Sequence, residues 1–227
     1  MAWFNFSEKA PEKGKLNFGD LRTTTPVNSQ FAYGRGQSID RYYIENFLEK
    51  NKADIKGRVL EIGNPTYTRK YGGGNVSKSD VLHAAAGNTA ATIVMDIVQA
   101  GEAYPDTFDC VIFTQTMLCI FDVKDAATAL YKILKPGGVL LASFPGISQI
   151  SRYDMEKWGD YWRFTDLSVK RLFEGLFGNK NIEIKSYGNV LTSVSFLHGI
   201  AAEELTAKEL EYTDPDYQLS ITLRAKK

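Results

Sequence analysis

The sequence predicts a single α/β domain built on a doubly wound, mostly parallel sheet of seven strands. Its 227 residues are 44% hydrophobic and 24% charged, which suits one sizeable core. Short apolar runs alternate with segments of helical periodicity, the order expected when helices cover both faces of a parallel sheet. Several runs are apolar throughout, as in strands that are buried on both sides.

The expected elements follow one another along the chain. The stretch "SIDRYYIENFLEK" predicts a helix over 38–50 that Ser38 caps. The stretch "DAATALYKIL" predicts a second helix over 125–134, which ends at the proline and glycines of "KPGG". Thr165 is expected to cap a third helix over 166–177, with Phe164 as a hydrophobic staple. A helical insert is expected over about 190–210, and strands over 58–63, 75–82, 91–97, 108–117, 138–144, 181–188 and 217–227.

Charge and composition limit the expected partners. The 27 basic and 27 acidic residues are spread along the chain, so we expect neither nucleic acid nor an anionic membrane as a partner. The first residues contain no apolar leader and no run reaches membrane-spanning length, so a cytoplasmic location is expected. Cys110 and Cys119 give neither a disulfide framework nor a metal-ligand spacing, and we expect both to be buried free thiols. The oligomeric state is left open.

Polar side chains follow four of the expected strands. Glu61 lies at the end of the first strand, Asp80 near the end of the second, Asp96 at the end of the third and Gln115 at the end of the fourth. The carboxyl ends of parallel strands meet at one edge of a sheet, where loop amides and helix N-termini also converge. We therefore expect these side chains to border one ligand site. Asp80 follows Gly63 by 17 residues, close to the spacing of an acid that accepts the hydroxyls of a ribose.

Five stretches of the sequence resemble class I S-adenosylmethionine-dependent methyltransferases of the type 11 kind. They are "RVLEIGN", "SD" after the second strand, "ATIVMDI", "TFDCVIFTQTM" and "ALYKILKPGGVLLASFPG", and the resemblance covers about residues 38–187. It implies a Rossmann-like sheet whose last strand is antiparallel. It also implies a methyltransferase domain over residues 38–227, with residues 1–37 as an N-terminal lid.

The same resemblance implies roles for the residues at the strand ends. Glu61 and Gly63 would approach the methionine end of S-adenosylmethionine, Asp80 its ribose, and Asp96 with Ile97 its adenine. Gln115 would line the floor under the methyl group, although its side chain could equally satisfy loop backbone. Candidates for contacts from the lid are Tyr33, Arg35 and Asp40.

The first turn, "GNPTYT", lacks the later glycines of a dinucleotide-binding loop. A dinucleotide needs those glycines so that backbone amides can approach its diphosphate, and Pro65 obstructs that approach. S-adenosylmethionine has no phosphate, and its charged groups are complemented by Glu61, Asn64 and turn amides. The sequence therefore favours this methyl donor over NAD and disfavours an NAD(P)-dependent oxidoreductase. A non-catalytic binding module with a methyltransferase fold stays an alternative, because a degenerate donor site would also show an unusual turn.

The acceptor side is expected in the segments that decorate the sheet, residues 145–165 and 190–210. The first of these follows the fifth strand and mixes aromatic, acidic and basic side chains, which suits a selective pocket and mildly favours a sugar-like acceptor. We expect O-methylation of a small molecule or glycan, with nitrogen acceptors still open, and we expect no metal. A hydroxyl acceptor needs a base that takes its proton. The candidate bases are His83, Asp154, Asp160 and His198, of which His198 is as readily a packing residue, and the candidate acceptor ligands are Tyr153 and Arg163.

Overall fold

The computed structural model describes residues 11–227, which form one seven-stranded sheet in the order β3-β2-β1-β4-β5-β7-β6. Neighbouring strands are parallel except at β7, which runs antiparallel to both β5 and β6. The predicted fold class is confirmed, including the antiparallel last strand. The strands are β1 Gly57–Ile62, β2 Val76–His83, β3 Ile93–Val94, β4 Phe108–Thr114, β5 Leu134–Pro145, β6 Ile182–Tyr187 and β7 Ser220–Lys226.

Helices cover both faces of this sheet. One layer contains α2, α3 and α5, and the other contains α1, α6 and α7. The short helix α4 lies in the segment that follows β5. The helices are α1 Ile39–Lys50, α2 Ile97–Ala103, α3 Val123–Ile133, α4 Arg152–Lys157, α5 Asp166–Phe177, α6 Val190–Leu197 and α7 Ala207–Glu211. No helix of the described residues is long and apolar enough to cross a membrane.

The central strand β4 explains why the apolar runs predicted a parallel sheet. Its residues Cys110 to Phe113 are all fully buried, because α1 and its neighbours cover one face and α3 covers the other. Burial raises the pKa of the Cys110 thiol far above its ordinary value and that of half-buried Cys119 to about 12. Both cysteines are free thiols, as expected, and both are held protonated.

The predicted helix boundaries fit the structure with small differences. The Thr165 hydroxyl accepts from the Ser168 amide and the Ser168 hydroxyl accepts from the Thr165 amide, which caps α5, while Phe164 is buried beside it. Ser38 stands at the start of α1 as predicted, but its hydroxyl donates to Asp40. Strand β5 begins at Leu134, directly after α3, so the "KPGG" turn lies inside the strand at a register shift.

The strand order places a ligand site between β1 and β4. After β1 the chain builds β2 and β3 on one side, and then it returns to build β4 and β5 on the other. The loops after β1 and β4 therefore leave the sheet in opposite directions and open a crevice at the carboxyl ends, where ligands of doubly wound sheets bind.

Candidate active site

Two adjoining cavities open above the carboxyl ends of the strands. The smaller, of about 310 Å³, lies against the ends of β1, β2 and β4 and the start of α2. The larger, of about 640 Å³, lies against the ends of β4 and β5 beneath residues 30–37. Gln115 and Asp154 line both cavities. These two residues therefore mark the place where the cavities meet.

The turn after β1 opens the smaller cavity. Gly63 has a φ of +81°, and a Cβ atom added there would meet no other atom within 4 Å. Its amide donates to the Leu82 carbonyl and its carbonyl accepts from the side chain of Asn88 at 2.6 Å, so the turn is fixed from β2 and the loop beyond it. The Asn64 side chain instead accepts from the Thr66 amide at 3.1 Å. Asn64 is exposed and lines neither cavity, so its expected contact with a cofactor has no support in the geometry.

Glu61 holds the loop that follows this turn. Its carboxylate is 3% exposed and accepts from the backbone amides of Tyr67 at 2.9 Å and Thr68 at 2.7 Å. Burial raises the pKa of Glu61 above its ordinary value, although the two amide bonds oppose the rise. The partners that offset the desolvation of this carboxylate are thus backbone amides of the chain itself. Glu61 lines neither described cavity.

Asp80 lies inside β2, three residues before its end, which agrees with the expected position near the end of the second strand. The carboxylate is buried, forms an ion pair with Arg58 at 2.7 Å, and accepts from the Thr92 hydroxyl at 3.1 Å. The Arg58 guanidinium lies over the ring of Phe108, the first residue of β4. Asp80 is therefore paired within the sheet and lines neither cavity, so the geometry does not support it as a ribose ligand.

His83 occupies the end of β2 and lines the smaller cavity. Its Nδ1 lies 2.6 Å from the carbonyl oxygen of Ala85. A carbonyl cannot donate, so we place the proton on Nδ1; the longer 3.4 Å contact from the Ala85 amide is the weaker of the two. The Trp158 ring packs edge-on against the imidazole, with 5.2 Å between ring centroids. The remaining nitrogen, Nε2, is then a hydrogen-bond acceptor.

Asp96 and Ile97 lie where the sequence places them, at the start of α2 and on the wall of the smaller cavity. One oxygen of Asp96 accepts from the Val98 amide at 2.7 Å and caps the helix. The helix-capping role and the cavity-lining role therefore coexist in this carboxylate. Ile97 is buried and gives the same wall an apolar surface.

Gln115 holds an unusual backbone conformation at the junction. Its φ is +46°, a left-handed value that costs a non-glycine residue about 1–2 kcal/mol. Its amide donates to the Ser143 carbonyl at 3.1 Å, which ties the turn to β5. The strained turn directs the chain after β4 along both cavities, as expected for a backbone outlier at a functional site.

The segment after β5 separates two of the candidate bases. Asp154 is half-buried at the start of α4, and among the described residues no side chain donates to its carboxylate. Asp160 has a fully buried side chain that pairs with both terminal nitrogens of Arg163 and accepts from the Ser151 amide at 2.9 Å. Burial raises the pKa of Asp160, but the bonds from Arg163 and Ser151 outweigh it and leave the pKa below its ordinary value. Asp160 is therefore a poor proton acceptor.

Three other candidates have structural partners or lie elsewhere. The Arg163 guanidinium also donates to the carbonyls of Ser148 and Gln149, so it fastens the loop that borders the larger cavity. Tyr153 is exposed and its hydroxyl accepts from Lys157 at 2.7 Å. His198 ends α6 and lines neither cavity, with Nδ1 buried and without a partner in the described chain. Arg163 lines the larger cavity while it fastens that loop, and the geometry supports neither Tyr153 nor His198 in its expected role.

Sequence reasoning missed three residues near the site. Trp158 packs on His83, Asn88 holds the carbonyl of Gly63, and Arg41 lines the larger cavity from the first turn of α1. Trp158 and Asn88 lie in irregular segments without a periodic pattern. Arg41 carried a weak signal, since a cation in the first turn of a helix opposes the helix dipole and needs another reason to be there.

Comparison with known proteins agrees with this geometry. Residues 65–142 match the family of the methyltransferase domain. A methyltransferase from Archaeoglobus fulgidus, described as S-adenosylmethionine-dependent, is 14% identical with a TM-score of 0.53 over 82% of this chain and 94% of that one. The N-methyltransferase NodS from Bradyrhizobium japonicum WM9, solved with S-adenosylhomocysteine, is 15% identical with a TM-score of 0.50 over 84% and 88%.

A third structure is a phosphoethanolamine N-methyltransferase from Haemonchus contortus, solved with S-adenosylmethionine. It is 17% identical with a TM-score of 0.54, over 95% of this chain and 61% of that one. These likenesses establish the fold, and no curated protein matches the chain. The family match covers residues 65–142, and the strand order agrees with the fold of the solved methyltransferases. Residues 65–142 are thus similar to a methyltransferase domain, and structures solved with S-adenosylmethionine or S-adenosylhomocysteine share the fold of this chain.

Proposed function

We propose that the enzyme methylates a hydroxyl group of a small polyhydroxylated molecule or glycan, with Asp154 as the general base. The observation that carries the proposal is the position of Asp154. Its half-buried carboxylate lines both the smaller and the larger cavity. A base at that junction is within reach of a donor in one cavity and an acceptor in the other.

The residues of the smaller cavity fit the adenosine part of the donor. Gly63 leaves space above β1 that a side chain would fill, and Ile97 supplies an apolar wall for a flat purine. Asp96 uses one carboxylate oxygen as a helix cap, which leaves the other oxygen to accept from the amino group of the adenine. We assign His83 the role expected of Asp80, because it follows Gly63 by about 20 residues and its Nε2 can accept from a ribose hydroxyl.

Little covalent chemistry is required of the protein itself. Bound S-adenosylmethionine supplies an electrophilic methyl group on a sulfonium. The chain would hold the acceptor oxygen in line with that group, and Asp154 would take the hydroxyl proton as the carbon–oxygen bond forms and the carbon–sulfur bond breaks, with S-adenosylhomocysteine as the leaving group. The protonated carboxyl then returns its proton to water. Gln115, on the wall of both cavities, helps to keep the junction aligned.

The lining of the larger cavity supports a polyhydroxylated acceptor. Apart from its ionic groups, the walls offer amides and hydroxyls, among them Gln30, Ser148 and Ser151. Such neutral groups donate to and accept from sugar-like hydroxyls equally well. Phe31 and Tyr33 add aromatic surface to the roof. This combination of ring surface and neutral polar groups suits a ring-shaped polar molecule.

The test compares two substitutions on α4 that remove the same charge. Sugars, sugar nucleotides, glycans, phenols and amines are first screened with labelled S-adenosylmethionine. With the acceptor found, Asp154→Asn should reduce turnover by about 10²- to 10⁴-fold, while the affinity for S-adenosylhomocysteine in calorimetry stays within a factor of about two. Glu156→Gln, on the exposed face of the same helix, is the matched control and should keep full activity.

Two outcomes would contradict the proposal. Normal turnover of Asp154→Asn would reject the base assignment, and a product methylated on nitrogen would reject the hydroxyl acceptor. Tight binding of NAD in place of S-adenosylhomocysteine would instead contradict the donor site as a whole.

A further inference from the structure

The roof of the larger cavity is attached to the insert between β6 and β7. We call residues 28–37 the roof segment and residues 198–204 the insert turn. The Asn28 amide donates to the His198 carbonyl at 2.9 Å, and at the other end the Ala202 amide donates to the Gln37 carbonyl at 2.8 Å. The Gln37 amide also donates to the carboxylate of Glu203, at 2.9 Å to its nearer oxygen. The two segments are thus joined at both ends.

An ion pair joins the middle of the two segments. Nε of Arg35 lies 2.7 Å from one carboxylate oxygen of Glu204, and Nη2 lies 2.6 Å from the other. This two-bond geometry fixes orientation as well as distance. The bond from Arg35, with a further one from the Ala201 amide, lowers the pKa of Glu204 to about 2. The pair therefore stays charged over the whole physiological range.

Two glycines show how closely the segments fit. A Cβ atom on Gly36 would lie 2.6 Å from a carboxylate oxygen of Glu203. A Cβ atom on Gly199, whose φ is +66°, would lie 2.0 Å from the carbonyl oxygen of Asn28. Only a glycine permits each of these approaches. The two segments are thus held by close packing as well as by charges.

The roof segment needs such support because part of its backbone is strained. Phe31 and Ala32 have φ values of +53° and +66°, which non-glycine residues rarely adopt. A strained turn persists only where its surroundings fix it. The bonds to the insert turn provide part of this support, together with the packing of Phe31 on Phe196 of α6 and a bond from the side chain of Gln149 to the carbonyl of Ser29.

The ion pair lies outside the lining of the cavity. Gln30, Phe31, Tyr33 and Gln37 line the larger cavity, whereas Arg35 and Glu204 line neither. The smaller cavity has no wall from the roof segment in the described chain. We propose that Arg35 and Glu204 are positioning residues for the acceptor, which join the roof segment and the insert turn into one unit that shapes the larger cavity. The proposal rests on the assignment of that cavity to the acceptor.

Reversal of the charge at Arg35 provides the test. Hydrogen–deuterium exchange is measured first, because it does not require the methyl acceptor to be known. Arg35→Glu opposes Glu204 with a like charge, and exchange should increase about fivefold or more in residues 28–37 and 198–204 together. Exchange in β1, β2 and α2 should not change. Affinity for S-adenosylhomocysteine should stay within about a factor of two, while the KM of the acceptor found by the screen rises about fivefold.

A control and a rescue separate this effect from a general change of charge. Arg22→Glu makes the same change at an exposed arginine upstream of the roof segment and should reproduce none of these effects. Arg35→Glu combined with Glu204→Lys restores opposite charges and should recover most of the exchange protection and of the KM.

Three results would overturn the proposal. They are faster exchange in one segment without the other, an equal loss of affinity for S-adenosylhomocysteine, and the same KM in Arg35→Glu as in the unchanged enzyme. Failure of the Asp154 assignment would appear as normal turnover of Asp154→Asn and would leave the exchange result intact.

Discussion

Replacement of Asp80 by alanine should destabilise the fold without weakening the binding of the donor. The carboxylate is 2% exposed and takes bonds from Arg58 and Thr92 within β1, β2 and the adjoining loop. Removal of one partner of a buried ion pair costs about 3–5 kcal/mol. The Arg58 side chain is 28% exposed and can turn toward water, so we reduce the expected loss of unfolding free energy to about 2–3 kcal/mol.

Two measurements on the same protein decide the question. Urea unfolding gives the loss of stability, and calorimetry with S-adenosylhomocysteine gives the affinity under conditions where the variant is still folded. Asp80→Asn keeps the shape of the side chain and loses only its charge. Its free energy of unfolding should therefore lie between that of Asp80→Ala and that of the unchanged protein. If Asp80→Ala had normal stability but bound S-adenosylhomocysteine ten times more weakly, Asp80 would be a donor ligand, and the structural role given to it here would be wrong.

The remaining predictions concern His83 and Asp160. His83→Ala should weaken the binding of S-adenosylhomocysteine by about 1 kcal/mol. In calorimetry, the variant should also bind S-adenosylhomocysteine and its 2′-deoxy analogue equally well. If the variant still prefers S-adenosylhomocysteine to the analogue, the ribose contact is refuted. The pKa of Asp160 is below its ordinary value of 3.8, so its ion pair stabilises the fold above that pH and loses this effect as the pH falls through the lowered pKa. Asp160→Asn should therefore cost stability at pH 7 in urea unfolding, and the difference should shrink near pH 3. A difference that does not depend on pH would contradict this account.

The fold was predictable because its signals are local. Each strand that predicted the sheet is an apolar run whose burial needs no knowledge of distant contacts, as in β4. The cap of α5 is likewise contained in the four residues from Thr165 to Ser168. The antiparallel direction of β7 has no such local signal, and it followed only from resemblance to a family.

The site was less predictable because it depends on where a strand ends. The sequence "SDVLH" contains one acid and one histidine, and the acid matched the chemistry expected of a ribose ligand. The expected strand over 75–82 ends one residue before the observed end at His83, and Asp80 lies within it and pairs with Arg58. Asp80 and His83 are three residues apart, so their side chains lie about 10 Å apart on opposite faces of the strand. Which of the two borders the cavity is set by tertiary pairing, here of β2 with β1 and β3, and no local pattern gives it.

Asp154 and Asp160 illustrate a second reason. Both are aspartates in the same segment, and nothing in the sequence separates a free carboxylate from a paired one. Arg163 lies three residues after Asp160 and pairs with it only because Ser151 and the surrounding loop bring the two together. The partner of a polar group therefore decided its function, and the fold of the segment decided the partner.

The two cavities draw on different parts of the chain, and this division governs what can be inferred about the enzyme. Most of the walls of the smaller cavity come from β2, α2, β4 and the segment after β4, which lie within the matched residues 65–142, so the family match bears on the donor side. The larger cavity is formed mainly by residues 30–45 and 145–163, with Phe196 of α6 and Leu219 before β7, all outside that match. The acceptor must therefore be sought from the geometry of those segments. Asp154 is the acidic group that borders both cavities. Substitution of Asp154 therefore tests whether the donor in the smaller cavity and the acceptor in the larger one meet at this carboxylate.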